Sequence, residues 1–450
     1  MESCSDIKEA KNKFSNLTSK KTLIKNVVFN LLGKILPMGI ALFTIPIIIN
    51  NMGNERFGIL TIIWMLIGYS SIFDLGLGRA LTQMVSKKIG ENDVKELPPI
   101  IWTASSLLFF MGIIAGIAIF SFSTFIVVDL LKVSEIYRHE TVNAIKLVAL
   151  CIPMLFFNGA FNGVLTSYQK FGTINLVTAP LALFNFVSPL LVFIFTNNLA
   201  AVVGTLVFGR ALVSVTYFIV CLKTVDNLYK FKIDFKFIKP LLSYGSWITV
   251  SNIISPLMST FDRFIISNQL SASVVAFYTT PYELTARLVV LPGAIVSVLF
   301  PAFSMEIVSN PQRAKNLFHK ATKYLFFILL IPVIIIILFA KTGLSLWINP
   351  EFAENSFRIA QVISAGVLFN GLAFIPYCFI QAYGKSDMTA KFHLIEFPVY
   401  MILLFGLINV FGILGAAFAW TIRVIMDYLL LYFYSLKLLA NLSNSSESNS

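Results

Sequence analysis

Charge is scarce in this 450-residue chain: 12% of its residues are charged, about half of the roughly 25% found in soluble domains. Only four cysteines occur, Cys4, Cys151, Cys221 and Cys378, and no two have the spacing of a disulfide pair or a thiolate metal site. The three histidines, His139, His319 and His393, stand near the ends of apolar runs or in loops, among polar neighbours. No metal site and no cofactor are therefore expected. Short alternating strands are also missing, which excludes a β-barrel. The longest outer loops, near 124–140 and 342–356, are too short to fold as a domain. They carry no paired carboxylates and no nucleophile arrangement, so an enzyme is not expected.

What the chain has instead is apolar length. Hydrophobic residues make up 57% of it, with a mean hydropathy of +0.82. A bilayer-spanning helix needs about 20 mainly apolar residues, because every backbone amide must be hydrogen-bonded within its own segment. Twelve such segments are read, at about 26–49, 57–78, 98–122, 141–166, 173–196, 199–222, 240–267, 273–306, 321–341, 357–382, 388–408 and 412–436. The segment at 273–306 contains Pro281, Pro292 and Pro301 and is expected to be kinked or broken. The polar residues 1–21 read as a cytosolic tail before a retained first helix, and 438–450 as a disordered tail.

A net charge of +12 raises the question of nucleic acid, but the positions of the basic residues answer it otherwise. With the amino terminus cytosolic, 22 lysines and arginines fall in the tails and loops of that side and five on the other. This is the positive-inside pattern of a multi-pass membrane protein with both termini in the cytosol.

A faint internal repeat divides the chain. IIINNMGNERFGIL at 47–60 matches IISNQLSASVVAFY at 265–278, LTSYQKFG from Leu165 matches IQAYGKSD from Ile380, and Arg210 corresponds to Arg423. The offsets are nearly constant at 218, 215 and 213. The expected fold is all-α and membrane-embedded, with twelve helices in two six-helix bundles of parallel-repeat type around a central cavity. The bundles would be 22–223 and 240–437, joined by the basic loop 224–239.

Seven basic residues remain in or near the spans: Lys34, Arg79, Lys146, Arg210, Arg263, Arg287 and Arg423. Against them stand Asp74, Asp262, Glu283, Glu396 and Asp427, a surplus of two positive charges. A charge at a helix centre costs about 2.5–3.5 kcal/mol even on the lenient scale, so these groups should face protein or water. Lys34, Arg210, Arg287 and Arg423 lie deepest and are the candidates for a cationic, anion-binding cavity. Glu283 with Arg287, and Arg423 with Asp427, are spaced i, i+4 on one helix face. Asp74, Arg79, Asp262, Arg263, Glu283, Glu396 and Asp427 are the candidates for gating or ion coupling. For Asp74, which precedes Gly76 and Gly78, two readings stand: a residue that orients Arg79 or gates the cavity, or an interfacial charge that anchors a helix end.

The segment NNMGNERFGILTIIWMLIGYSSIFDLGLGRALTQMVSKK, with its ERFG and DLGLG motifs, and the later YGKSD loop resemble the bacterial O-antigen and capsular polysaccharide flippases. These belong to the multidrug/oligosaccharidyl-lipid/polysaccharide exporter superfamily. The resemblance implies a flippase that moves undecaprenyl-pyrophosphate-linked oligosaccharide from the cytosolic to the periplasmic leaflet by alternating access. It also implies contact with membrane lipids, a polysaccharide polymerase and a chain-length regulator as partners, and leaves proton or sodium coupling open. The alternatives are a multidrug cation antiporter of the same superfamily, a lipid-linked peptidoglycan precursor flippase with two further spans, and a membrane-embedded glycan polymerase.

Overall fold

The computed structural model describes residues 17–68, 74–196 and 198–447. Much of the expected amino-terminal tail, and Tyr69–Phe73 of the segment that carries the ERFG and DLGLG motifs, lie outside the described residues. Among the described residues the fold is entirely helical. Ten helical segments among the described residues are long and apolar enough to cross a bilayer, with Val274–Ser309 counted as one.

The chain forms two compact units, Met1–Ser246 and Trp247–Ser450. In the first, α1 is Lys20–Met52, α2 Asn54–Gly68, α3 Leu77–Gly90, α4 Leu97–Ser121, α5 Glu135–Ser167, α6 Phe171–Phe193 and α7 Leu199–Thr224. Helix α8, Ile238–Gln269, runs through the boundary. The second unit continues with α9 Ala272–Ala286, α10 Val290–Ser309, α11 Pro311–Trp347, α12 Pro350–Ala382, α13 Ser386–Phe411 and α14 Ile413–Glu447.

Helix starts follow local chemistry. Asn310 and Asn349 each precede a proline, and their side-chain oxygens accept from Arg313 N at 3.0 Å and Phe352 N at 2.7 Å. Asparagine at the cap fills an orphan amide, and proline at the first helical position has none to lose. The span expected at 273–306 is broken at Arg287–Val289, a 3-10 turn between α9 and α10 with Pro281 before it and Pro292 after it. The last helix continues to Glu447, past the boundary at 437 where a disordered tail was expected. Hydropathy loses a helix once it leaves lipid, although the backbone hydrogen bonds continue.

A second difference concerns 57–78, expected as one span. Helix α2 ends at Gly68 and α3 begins at Leu77. Leu75 (φ 50°) and Gly76 (φ 67°) both adopt the left-handed conformation, which stops a helix. Asp74 then sits in the turn, where its Oδ1 accepts the Gly76 amide at 2.8 Å.

Lipid tails are as apolar as leucine, so helices in a membrane associate mainly through close packing between small residues. Helix α4 meets α5 this way. A Cβ on Gly112 would lie 2.7 Å from Pro153 Cα, and one on Gly116 would lie 2.7 Å from the Ala149 carbonyl oxygen. Helix α3 meets α5 at Gly163, where a Cβ would come within 2.9 Å of the Gly78 carbonyl oxygen. A buried cluster of Ile48, Leu60, Ile63, Val148, Val203 and Leu206, among others, joins α1, α2, α5 and α7. The second unit has its own cluster around Met258, Tyr278, Ile363, Tyr400 and Trp420.

Gly163→Ala is expected to destabilise the protein by about 1–3 kcal/mol, because the obstructing atom is backbone. Gly204→Ala, whose Cβ would meet nothing within 4 Å, is expected to be neutral or mildly stabilising. Thermal unfolding of both variants in the same detergent checks the contrast.

Candidate functional site

Arg210 lies on α7 with 8% of its surface exposed. It borders a cavity of about 460 Å³ in the first unit, lined also by Trp64, Asn158, Asn162, Thr178, Asn185, Phe186 and Tyr217. Its Nη1 donates to Asn185 Oδ1 at 3.3 Å, a neutral partner. Among the described residues no acidic side chain lines the cavity. Four buried polar atoms on its wall have no protein partner among the described residues: Arg210 Nε, Asn158 Oδ1, Trp64 Nε1 and Tyr217 Oη. Each orphan of this kind costs about 1–3 kcal/mol unless something in the cavity satisfies it. The wall combines one fixed cation, amide groups and aromatic faces, the chemistry of a site for an anion carrying hydroxyl groups.

The second unit holds a different polar centre. Glu396 and His393 on α13, spaced i, i+3, meet Asp427 on α14, and ligating atoms of the three lie within 4.8 Å of one another. All three are buried. Both Glu396 oxygens, Asp427 Oδ1 and His393 Nδ1 have no protein hydrogen bond among the described residues. His393 stacks on Tyr377 with ring centroids 5.7 Å apart. Arg423, also buried, points Nη1 at Met258 Sδ (3.9 Å) and stands 5.7 Å from the Tyr400 ring centroid. The expected i, i+4 ion pair between Arg423 and Asp427 is absent among the described residues. Two carboxylates against one guanidinium leave room for one more positive charge, a proton or a cation held by the three donors.

Asp262 on α8 is fully buried. Its Oδ2 accepts from Tyr278 Oη at 2.5 Å and from Tyr400 Oη at 3.5 Å, and its Oδ1 accepts from Arg263 N at 2.8 Å. Arg263 turns away to Glu283 (2.7 Å) and packs on the Tyr282 ring. Glu283 also reaches Arg287 at 3.9 Å, and the Arg287 side chain remains 71% exposed. Arg210 and Arg423 are therefore the buried members of the deep cationic set, while Arg287 is not. Lys34 belongs to α1, but its side chain lies outside the described residues. Arg79 is half-buried in the first turn of α3.

The ERFG motif turns out to be an anchor. Arg56 grips Glu140 through Nε at 2.6 Å and Nη2 at 3.2 Å, and Glu55 accepts the Ser134 amide at 2.9 Å. The hydrogen bonds from Ser134 hold the Glu55 carboxyl below its usual range. Beyond α3, the Asp93 and Glu96 carboxylates raise the Lys88 ammonium pKa above the ordinary lysine value. Sequence reasoning passed over His393, whose partner Glu396 stands three residues on. It also passed over Asn158, Asn185 and Tyr217, which periodicity marks only as polar breaks in apolar helices.

Residues 23–306 match the family model described as polysaccharide biosynthesis protein. A Shigella flexneri protein named "Putative O-antigen transporter" is 35% identical over 413 residues, covering 91% of this chain and 97% of that one. A "Probable low-salt glycan biosynthesis flippase" of Haloferax volcanii is 26% identical over 189 residues, 42% of this chain and 40% of its own. Among solved structures, a MATE in the bent conformation superposes with a TM-score of 0.84 at 13% identity, covering 97% of this chain and 99% of that one. At that identity the likeness shows the fold alone.

Asp262→Ala is expected to cost about 1–3 kcal/mol, since it strands the buried Tyr278 hydroxyl. Asp262→Asn keeps an acceptor and should recover most of the loss. The apparent melting temperatures of the two variants, measured side by side, check this.

Proposed function

The chain belongs to the polysaccharide biosynthesis protein family, and from that membership we propose that it is a flippase for lipid-linked oligosaccharide. The substrate in this reading is an undecaprenyl-pyrophosphate carrying an O-antigen or capsule repeat unit. It passes from the cytosolic to the periplasmic leaflet of the inner membrane by alternating access of twelve spans. The strong bias of basic residues to one side supports cytosolic termini.

The observation that carries the reading is Arg210. It is a buried cation with a neutral partner, beside amide and hydroxyl groups unpaired among the described residues, in a cavity that no described acid lines. A pyrophosphate supplies the missing negative charge, and sugar hydroxyls supply partners for Asn158 and Tyr217. Trp64, Phe186 and Tyr217 offer flat apolar faces for pyranose rings. Crossing hydrocarbon unaided would cost such a headgroup several kcal/mol for each buried polar group. Outward movement of its negative charge runs with an inside-negative potential, about 2.3 kcal/mol per charge per 100 mV.

Proton or sodium coupling is assigned to His393, Glu396 and Asp427, because their unpaired donor atoms leave a buried negative surplus beside Arg423. The cation-antiporter alternative is disfavoured by the first unit's cavity, where an exporter of cations would need an acid and Arg210 stands instead.

In inside-out vesicles loaded with fluorescent lipid-linked oligosaccharide, Arg210→Ala is expected to slow flipping roughly ten- to hundredfold, matching the 1.5–3 kcal/mol of a charged hydrogen bond. Arg210→Lys should retain part of the rate, and protein level and melting temperature should be unchanged. Wild-type flipping by Arg210→Ala would overturn the assignment. Glu396→Gln with Asp427→Asn should abolish any response to a pH or sodium gradient while leaving the potential-driven component. Gradient response in that double variant would remove the coupling role.

A further inference from the structure

The loop after α7 reads Leu228-Tyr-Lys-Phe-Lys-Ile-Asp-Phe-Lys-Phe-Ile-Lys239, with apolar and charged residues in alternation. It forms no strand. Residues 231–234 are irregular, yet the loop is held at several points. Trp102 Nε1 donates to the Leu228 carbonyl at 2.9 Å, Asp234 N donates to Thr103 Oγ1 at 3.0 Å, and Lys236 pairs with Glu96 at 2.8 Å. Leu228 and Phe237 point inward at 0% and 7% exposure. Between these anchors Tyr229, Phe231 and Phe235 are presented outward at 72%, 63% and 77% exposure.

A held loop that displays three aromatic rings to water would be costly, but this loop is not placed in bulk water. It joins the end of α7 at Thr224 to the start of α8 at Ile238, and it is fastened to the start of α4. It therefore stands where three helices enter the bilayer, the level at which amphipathic rings and snorkelling lysines settle. Lys236 is engaged by Glu96 and Asp234. Lys230, Lys232 and Lys239 have no ion pair among the described residues.

Next to the loop lies a groove of about 630 Å³ in the first unit. Its walls include Leu75 from the left-handed turn, Phe235 from the loop, and Lys239, Leu242, Ser243 and Ser246 along one exposed face of α8. The Ser246 hydroxyl donates to the Ser243 carbonyl at 3.0 Å, which leaves Lys239 and the Ser243 hydroxyl as the polar end. The remainder is apolar, and among the described residues no acid lines it.

We propose that this loop and groove form a binding site for an anionic phospholipid of the surrounding bilayer. Lys239 and Ser243 receive the phosphodiester, one acyl chain lies against Leu75, Phe235 and Leu242, and Lys230 and Lys232 attract neighbouring headgroups. Attachment by apolar contact and by charge together is the combination that holds a protein segment firmly to a lipid surface.

The test uses the full chain in nanodiscs of phosphatidylglycerol mixed with phosphatidylcholine, with retained lipid counted by native mass spectrometry after extraction into detergent. The wild type is expected to retain phosphatidylglycerol over phosphatidylcholine. Each lysine near an anionic surface is worth about fivefold in affinity. Lys239→Ser alone should therefore lower retention several-fold, and the triple variant Lys230→Ser, Lys232→Ser, Lys239→Ser more than tenfold. Tyr229→Ser with Phe235→Ser should lower retention of both lipids. Melting temperature confirms that each variant folds, and the single variant decides if the triple does not.

A control triple, Lys315→Ser, Lys320→Ser, Lys323→Ser, should retain phosphatidylglycerol like the wild type. Equal retention of the two lipids by the wild type, full retention by Lys239→Ser, or equal loss in the control triple overturns the site. Displacement of the retained phosphatidylglycerol by undecaprenyl pyrophosphate at an equimolar ratio would also overturn it, since the groove would then belong to the transported lipid.

Discussion

A guanidinium inside a helical membrane bundle needs a negative or strongly polar partner, and among the described residues Arg210 has only the side-chain carbonyl oxygen of Asn185. Most of the first unit can be understood around that constraint. Helices α2, α5, α6 and α7 contribute the walls that keep Arg210 away from lipid, and each brings a polar group along with its apolar bulk. The close approach of α4 and α3 to α5 through glycines fixes the position of α5, and with it Asn158 and Asn162. The cost of a buried, poorly paired cation is offset elsewhere by packing, as at sites where local energetics are sacrificed to binding.

The second unit meets the same problem with opposite charge. Arg423, buried like Arg210, has Glu396 and Asp427 as well as His393 in its surroundings. There two carboxylates face one guanidinium, and the proposed cation coupling rests on that arrangement. Asp262 is a third case, a carboxylate whose partners are tyrosine hydroxyls and a backbone amide. Its hydrogen bonds tie α8 to α9 and α13, and they read more as a structural tie than as a free ion site.

Much of the fold was legible in the sequence because hydropathy over about 20 residues is a strong signal in a membrane chain. The proline-rich break at Arg287–Val289 was legible for the same reason that prolines are punctuation. The break after α2 was only half legible: Gly76 marked it, but the left-handed Leu75 beside it carries no sequence signature. For the site, depth along a helix identified Arg210 and Arg423 as buried, but depth carries no azimuth. Arg287 counts as deep by residue number, yet its side chain is exposed beside Glu283. His393 was set aside as a residue near a span end, between Phe392 and Leu394, whereas its neighbours in space are Tyr377 and two carboxylates. The ERFG motif pointed to a family, and the fold gives its charged residues a fastening role distant from chemistry.

The account stands on an anionic headgroup reaching Arg210, and covalent capture tests that contact most directly. A photoreactive amino acid in place of Asn185, irradiated with a labelled undecaprenyl pyrophosphate oligosaccharide in native membranes, is predicted to form an adduct that unlabelled lipid pyrophosphate competes away. Addition of Arg210→Ala to the same protein should abolish the adduct. Absence of any adduct at Asn185, or an adduct indifferent to Arg210→Ala, would contradict the account.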